Sequence, residues 1–213
     1  MEKLDFRNIT KTEELMTVIE KIEHYTGVRL PTDYVNRSQV VGVFLHDRLV
    51  AGYMLVTSPA FRSLLFVPDQ VKKQHDLFVE DEYEMMEVNG LWISPALKTP
   101  LLQVRVWARL IKDIFSARKK YVLLMRHSGN KTMKNLTSMA NPKTIFQGTP
   151  QILGSDKTHD SIEVAYTTRW SIVLNSHKYF VELLRRSRKA AKFAAQRKSA
   201  NNLHHPAAKL IEA

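Results

Sequence analysis

The stretch from Glu84 to Ala140 switches repeatedly between strand-like and helix-like hydrophobic spacing, and this alternation limits the chain to mixed α/β architectures. Met85, Met86, Val88, Leu91, Trp92 and Ile93 give the region 83–93 the apolar content of a strand, which Ser94-Pro95 ends. Thr99 can cap a helix that opens on Pro100, where a missing backbone N–H costs nothing, and that runs to about Lys120. Its apolar residues (Leu102, Val104, Val106, Trp107, Leu110, Ile111, Ile114, Phe115) cover well over half of the circumference and leave Arg105, Arg109, Lys112 and Ser116 as a polar stripe. Such a helix packs deeply between other elements. Tyr121 to Met125 is a short, continuously apolar run that suits a central strand. His127-Ser128-Gly129-Asn130 reads as a turn, and Lys131 to Ala140 as a second helix stopped by Asn141-Pro142.

Upstream, a short apolar stretch around Leu4, Phe6 and Ile9 precedes Thr10, which stands in capping-box spacing to Glu13. Leu15, Ile19, Ile22 and Tyr25 then recur at helical spacing until Gly27 stops the helix. Thr32 or Asp33 caps a second, shorter helix after Leu30-Pro31. Val40 to Leu45 and Leu49 to Val56 read as paired strands around His46-Asp47-Arg48, with Gly42 and Gly52 marking bulges or close approaches. The region 58–81, which holds Pro59 and Pro68, reads as a long loop with a short helix, and such loops are often lids. Downstream, strands are predicted around Thr144 to Phe146, Ile162 to Tyr166 and Trp170 to Leu174.

Several chemistries are excluded. The chain has no cysteine, hence no disulfide, thiolate metal site or cysteine nucleophile. It has no H-E-x-x-H and no histidines at metal-ligand spacing, so no metal site is expected. The absence of G-x-S-x-G and of G-x-x-x-x-G-K-S/T argues against a hydrolase elbow and a P-loop. No run of about 18 apolar residues occurs, and Met1-Glu2-Lys3-Leu4-Asp5 is not followed by the apolar core of a signal peptide, so a cytoplasmic protein is expected.

Charge divides the chain. The formal net charge is +11, and nine of the 32 basic residues but only two of the 21 acidic ones lie from Lys178 onward. The predicted organisation is therefore one domain over 1–175 and a basic helical tail over 176–213. The tail lacks proline and glycine up to Ala200, with Phe180, Leu183 and Leu184 on one side and Arg185, Arg188, Lys189 and Lys192 on the other.

The Gly52 hairpin, the strand ending Leu91-Trp92-Ile93-Ser94-Pro95, the long helix after it and the turn at Asn130 fall in an order that resembles the GNAT superfamily of acyl-coenzyme A dependent N-acyltransferases, over 40–166. The resemblance implies a mixed, mostly antiparallel sheet flanked by helices, with a fourth strand that splays from the fifth. It implies that the exposed backbone of Leu91, Trp92 and Ile93 holds the pantetheine arm of acyl-CoA or acetyl-CoA. The pyrophosphate would lie on the turn from Ala96 to Leu102, held by Lys98, Thr99 and the amides of Leu101 and Leu102. A helix N-terminus suits an anion because its first amides are unpaired and its dipole end is positive. The family's Gln/Arg-x-x-Gly-x-Gly/Ala pattern is replaced here by Pro95-Ala96-Leu97-Lys98-Thr99-Pro100, so this turn is degenerate. The resemblance also places Glu87 where many members have a general base and Asn130 where many have a cofactor-contacting asparagine. Thr137 stands where the family often has a tyrosine that protonates the departing thiolate.

Two functions from different classes fit these features. One is an acyltransferase that moves an acyl group from acyl-CoA to the amine of a small molecule or protein. The other is a non-catalytic module of the same fold that contacts a polyanion or a protein through its tail. The basic helix over 178–198 suits nucleic acid, an anionic membrane or an acidic protein, with Phe193 the aromatic available for stacking between Lys192 and Arg197.

Overall fold

The computed structural model describes residues 2–27, 29–97, 99–129, 131–149 and 161–203. A seven-stranded sheet in the order β1-β2-β3-β4-β5-β7-β6 forms its centre. The strands are β1 (Asp5–Asn8), β2 (Gln39–Leu45), β3 (Arg48–Val56), β4 (Met85–Ile93), β5 (Tyr121–His127), β6 (Lys143–Gly148) and β7 (Ile162–Thr168). The helices are α1 (Thr12–Thr26), α2 (Thr32–Asn36), α3 (Asp69–Gln74), α4 (Pro100–Ser116), α5 (Lys131–Ser138), α6 (Arg169–Leu174) and α7 (Ser176–Leu203). Only the β4–β5 contact is parallel; every other neighbouring pair is antiparallel. The long loop between β3 and β4 contains α3 and three 3₁₀ turns, at Ser63–Phe66, Asp76–Val79 and Glu82–Glu84.

Strand alternation divides the core between the two faces of the sheet. Val40, Met54, Met85 and Leu123 join the cluster built on α1, α2 and the Ser63–Phe66 turn. Their chain neighbours Val41, Tyr53, Leu55, Met86 and Val122 join the opposite cluster, with α4, α6 and the start of α7. The deep packing expected of α4 is observed: Leu102, Val106, Trp107, Leu110, Ile111 and Ile114 are all buried. Tyr53 Oη donates to Asp113 Oδ2 across 2.6 Å, and Arg109 pairs with Asp113 at 2.9 Å, so the polar stripe of α4 is stitched to β3.

Two local expectations are corrected. The N-cap of α1 is Lys11, without a side-chain cap bond, which puts Glu13 one position too early for a capping box with Thr10. Its end is as expected, with Gly27 at φ 71° and its N–H on Glu23 O. Trp170 to Leu174 is not a strand but lies in α6. The Thr168 hydroxyl accepts the Ser171 N–H at 3.1 Å, and this cap overrides the alternating polarity that follows it. α7 begins at Ser176, and its first turns are core. Tyr179 and Leu183 are buried, and the Tyr179 ring stacks on Trp107 of α4 at 5.8 Å. Two basic residues of α7, Arg185 and Arg186, pair with Glu182 at 2.7 and 2.8 Å. Among the described residues no helix is long and apolar enough to cross a membrane.

Candidate active site at the splay of two parallel strands

β4 and β5 pair only over Met85–Glu87 and Tyr121–Leu123. Beyond that point each strand follows its other neighbour. β5 stays in register with β7 all the way to His127, opposite Ile162. β4 stays with β3 but carries a bulge, because Trp92 pairs with Gly52 while Asn89 pairs with Met54. The extra residue on β4 falls at Gly90-Leu91, and Gly90 has φ 58°, the left-handed geometry that glycine supplies to a bulge without steric cost. A Cβ there would approach Ile22 Cδ1 to 2.7 Å, so glycine also admits α1. A bulge bends its strand, and the backbone edge of Val88–Ile93 that faces β5 is left outside the ladder.

A cavity of about 530 Å³ fills this divergence. Its side walls are Val88–Ile93 of β4 and Leu124–His127 of β5. One sheet face contributes Ile22, Tyr25, Thr26, Leu30, Arg62 and Phe66, and the other contributes Trp107, Leu110, Ile111, Ile114, Thr137, Ile172 and Tyr179. The cavity thus passes from one layer of helices to the other through the sheet. A mostly apolar concavity of this size with a few polar groups is the usual form of a small-molecule site. Leu91, Trp92 and Ile93, expected to hold a pantetheine arm, all line it. Tyr25 and Trp92 stack at 4.9 Å with their planes 8° apart, closing its α1 side.

Glu87, the expected base, stands behind the cavity wall rather than on it. Its carboxylate is fully buried and accepts from the Arg62 N–H at 2.8 Å, the Ser63 N–H at 3.0 Å, Tyr34 Oη at 2.9 Å and Asn89 Nδ2 at 3.4 Å. Burial raises its pKa above the ordinary carboxylate value, and these donors offset only part of the rise. Asn89, which does line the cavity, also donates to Tyr34 Oη at 3.1 Å, and its Oδ1 accepts the Gly90 N–H at 2.7 Å. Asn89 thus stands between the Glu87 carboxylate and the cavity.

The α4 turn offers fewer donors than expected. Leu102 donates its N–H to Thr99 O at 3.0 Å, and Gln103 donates to the same oxygen at 3.2 Å. Pro100 has no N–H to give. Thr99 is exposed at the N-cap with no side-chain cap bond, and Leu101 is exposed beside it, so the Thr99 hydroxyl and the Leu101 amide are the expected donors left available. Lys98 and Asn130, both expected to contact the cofactor, lie outside the described residues.

The cavity also brings in residues not expected from the sequence. Arg126 forms a buried ion pair with Glu163 at 2.5 Å and donates to the Thr137 hydroxyl. Burial raises the Glu163 pKa, but the hydrogen bonds and charge of Arg126 outweigh it and hold the carboxyl below its ordinary value. Thr144 Oγ1 adds a further bond to Glu163 at 3.1 Å. Burial pushes the Tyr179 hydroxyl up to about 12. The Asn89-Gly90 pair inside a strand pattern is a bulge signal legible in the sequence. Arg62 and Arg126 carry no such signal. No group of three or more metal-ligating side chains forms among the described residues.

No protein-family model and no curated protein matches the chain in sequence. Solved structures match it in three dimensions. FeeM, an N-acyl amino acid synthase from uncultured soil microbes, superposes with a TM-score of 0.56 at 8% identity, over 79% of this chain and 92% of its own. The ribosomal-protein-S18-alanine N-acetyltransferase of Escherichia coli gives 0.53 at 8% identity, over 78% of this chain and 94% of its own. A Salmonella typhimurium protein solved with its cofactor acetyl-CoA gives 0.51 at 13% identity, over 78% and 94%. At such identities the likeness is one of fold, and the fold is that of the GNAT superfamily.

Proposed function

We propose that the protein transfers an acyl group from a coenzyme A thioester to an amine, the two substrates meeting in the gap between β4 and β5. The observation that carries this reading is the divergence of the two strands. It leaves an unpaired backbone edge at Val88–Ile93 bordering a cavity open to both helix layers. Coenzyme A supplies an activated acyl group and a stable leaving thiolate. The edge of Leu91 to Ile93 aligns the pantetheine amides as an added strand would, and backbone N–H groups there polarise the thioester carbonyl. Confining both reactants in one apolar channel supplies proximity. Thr137 and Arg126 face the channel on the α4 side, where a hydroxyl backed by a guanidinium stabilises charge on the departing sulfur. Glu87, to which Tyr34 and Asn89 donate on the other side, takes the proton that the amine gives up, relayed by a water beside Asn89. The Thr99 hydroxyl and Leu101 amide would hold phosphate, with Lys98 and Asn130 in the roles their sequence positions imply.

Calorimetric titration with acetyl-CoA and with a long-chain acyl-CoA tests the reading directly. Saturable binding and amine-dependent thiol release are expected, and no binding at millimolar ligand would overturn it.

A second reading keeps the fold without the chemistry, and the closed α4 turn favours it. Here the exposed Arg188 and Lys189 of α7 contact a polyanion or an acidic protein. Binding of heparin with no thioester turnover is the result that selects it.

A further inference from the structure

We propose that the amine acceptor carries a carboxylate, that Arg62 holds this carboxylate, and that the acceptor is accordingly a free amino acid with an apolar side chain. The inference rests on the acyl-transfer reading for its reaction but not for its binding site.

Two arginines line the cavity, one from each side of the sheet, and they differ in how their charge is met. Arg126 is neutralised by Glu163 at 2.5 Å. Arg62 takes part in none of the ion pairs among the described residues. Glu87, the negative group that acts on it most strongly, accepts the backbone N–H of Arg62 and forms no ion pair with its guanidinium among the described residues. The Arg62 guanidinium instead lies over the Phe66 ring at 5.3 Å, and both residues line the cavity. Burial lowers its pKa, and the Glu87 charge offsets this only in part. A half-buried cation on an apolar wall is an incomplete electrostatic arrangement, and an anionic ligand group completes it.

The chemistry of the wall narrows the ligand. A guanidinium presents paired donors in a plane, which match a carboxylate bidentately. A phosphate dianion calls for a second cation, and Arg126 is already neutralised. On the Arg62 side of the sheet the lining is mainly apolar and aromatic (Ile22, Tyr25, Leu30, Phe66), with Thr26 and Asn89 as its polar members, so the rest of the ligand is mainly apolar. A free amino acid such as phenylalanine or leucine unites a carboxylate, an apolar side chain and an amine. Its carboxylate on Arg62 leaves the amine toward the β4 edge. A peptide N-terminus has the amine but not the adjacent carboxylate, so it lacks the group that Arg62 selects.

The test compares L-phenylalanine, L-phenylalanine amide, phenethylamine and phosphoethanolamine as acceptors, with thiol release from an acyl-CoA as the readout. Wild type and Arg62→Gln are assayed side by side. The substitution leaves the backbone N–H on Glu87 intact. The expected result is a KM for phenylalanine at least about tenfold below that for the amide and for phenethylamine in wild type, and loss of that difference in Arg62→Gln. Acyl-CoA affinity, measured by calorimetry, is expected to be the same in both proteins. Equal use of phenylalanine and phenethylamine, a preference for phosphoethanolamine, or weaker acyl-CoA binding in Arg62→Gln each overturns the proposal. Saturation-transfer NMR of phenylalanine with the protein alone separates this outcome from failure of the acyl-transfer reading. Arg62-dependent binding without turnover upholds the carboxylate site and removes the reaction, whereas turnover without Arg62-dependent selection does the reverse.

Discussion

Tyr34 Oη donates to Glu87 Oε2 across 2.9 Å, joining α2 to β4 just where β4 parts from β5. The bond spans 53 residues of sequence and is backed by two loop amides on the same carboxylate. Glu87→Ala leaves these donors buried without an acceptor, and is expected to cost about 2–4 kcal/mol; Tyr34→Phe is expected to cost about 1–2. Urea denaturation measures both.

The pH dependence of that site has a definite sign. The folded-state pKa of Glu87 is raised by burial, so the native state binds the proton more tightly than the unfolded chain. Its contribution to stability is complete below the ordinary glutamate value and is lost as pH rises through the raised folded value. Glu87→Gln removes this titration. Its urea midpoint is expected to fall less than that of wild type between about pH 4 and the upper end of that window.

Arg126 and Glu163 form the most enclosed ion pair of the site, with side chains 9% and 6% exposed. Breaking it by Glu163→Ala strands a buried guanidinium, at an expected cost of about 3–5 kcal/mol. The double change Arg126→Met with Glu163→Leu removes both charges and is expected to recover most of this. A denaturation series on the three proteins reads the difference.

Leu110 lies on the α4 wall of the cavity, opposite the β4 edge. Leu110→Trp is expected to shorten the space for an acyl chain. Displacing about two methylenes removes about 1.6 kcal/mol of apolar burial, close to a tenfold loss of affinity for a long-chain acyl-CoA. Acetyl-CoA affinity is expected to stay unchanged, and competitive calorimetry compares the two.

Truncation separates the halves of α7. Ending the chain before Ser176 removes the buried Tyr179 and Leu183 and exposes Trp107, so a fall in melting temperature is expected. Ending it after Lys189 keeps both residues, and a melting temperature near that of the full chain is expected in a thermal scan.

Much of the fold was legible because it rests on periodic signals. The apolar circumference of α4, the unbroken apolar run of β5 and Gly27 after α1 each describe how a segment meets its immediate surroundings. Trp170 to Leu174 carries the alternation of a strand, but a single hydroxyl, Thr168, outweighs it. The carboxylate of Glu87 was visible as a chemical group, but nothing local shows that loop amides fill its acceptor sites. The roles of Arg62 and Arg126 were invisible for the same reason, since each depends on partners or gaps far away in the chain.

The sequence by itself determined the alternation of elements and the layered α/β class. These follow from hydrophobic period and backbone sterics, which act over a few residues. Only the tertiary structure decided that β4 follows β3 while β5 follows β7, that the gap between them is a cavity through the sheet, and which charges within it are met. Strand register and charge pairing arise from contacts between distant segments, so they exist only once the chain has packed.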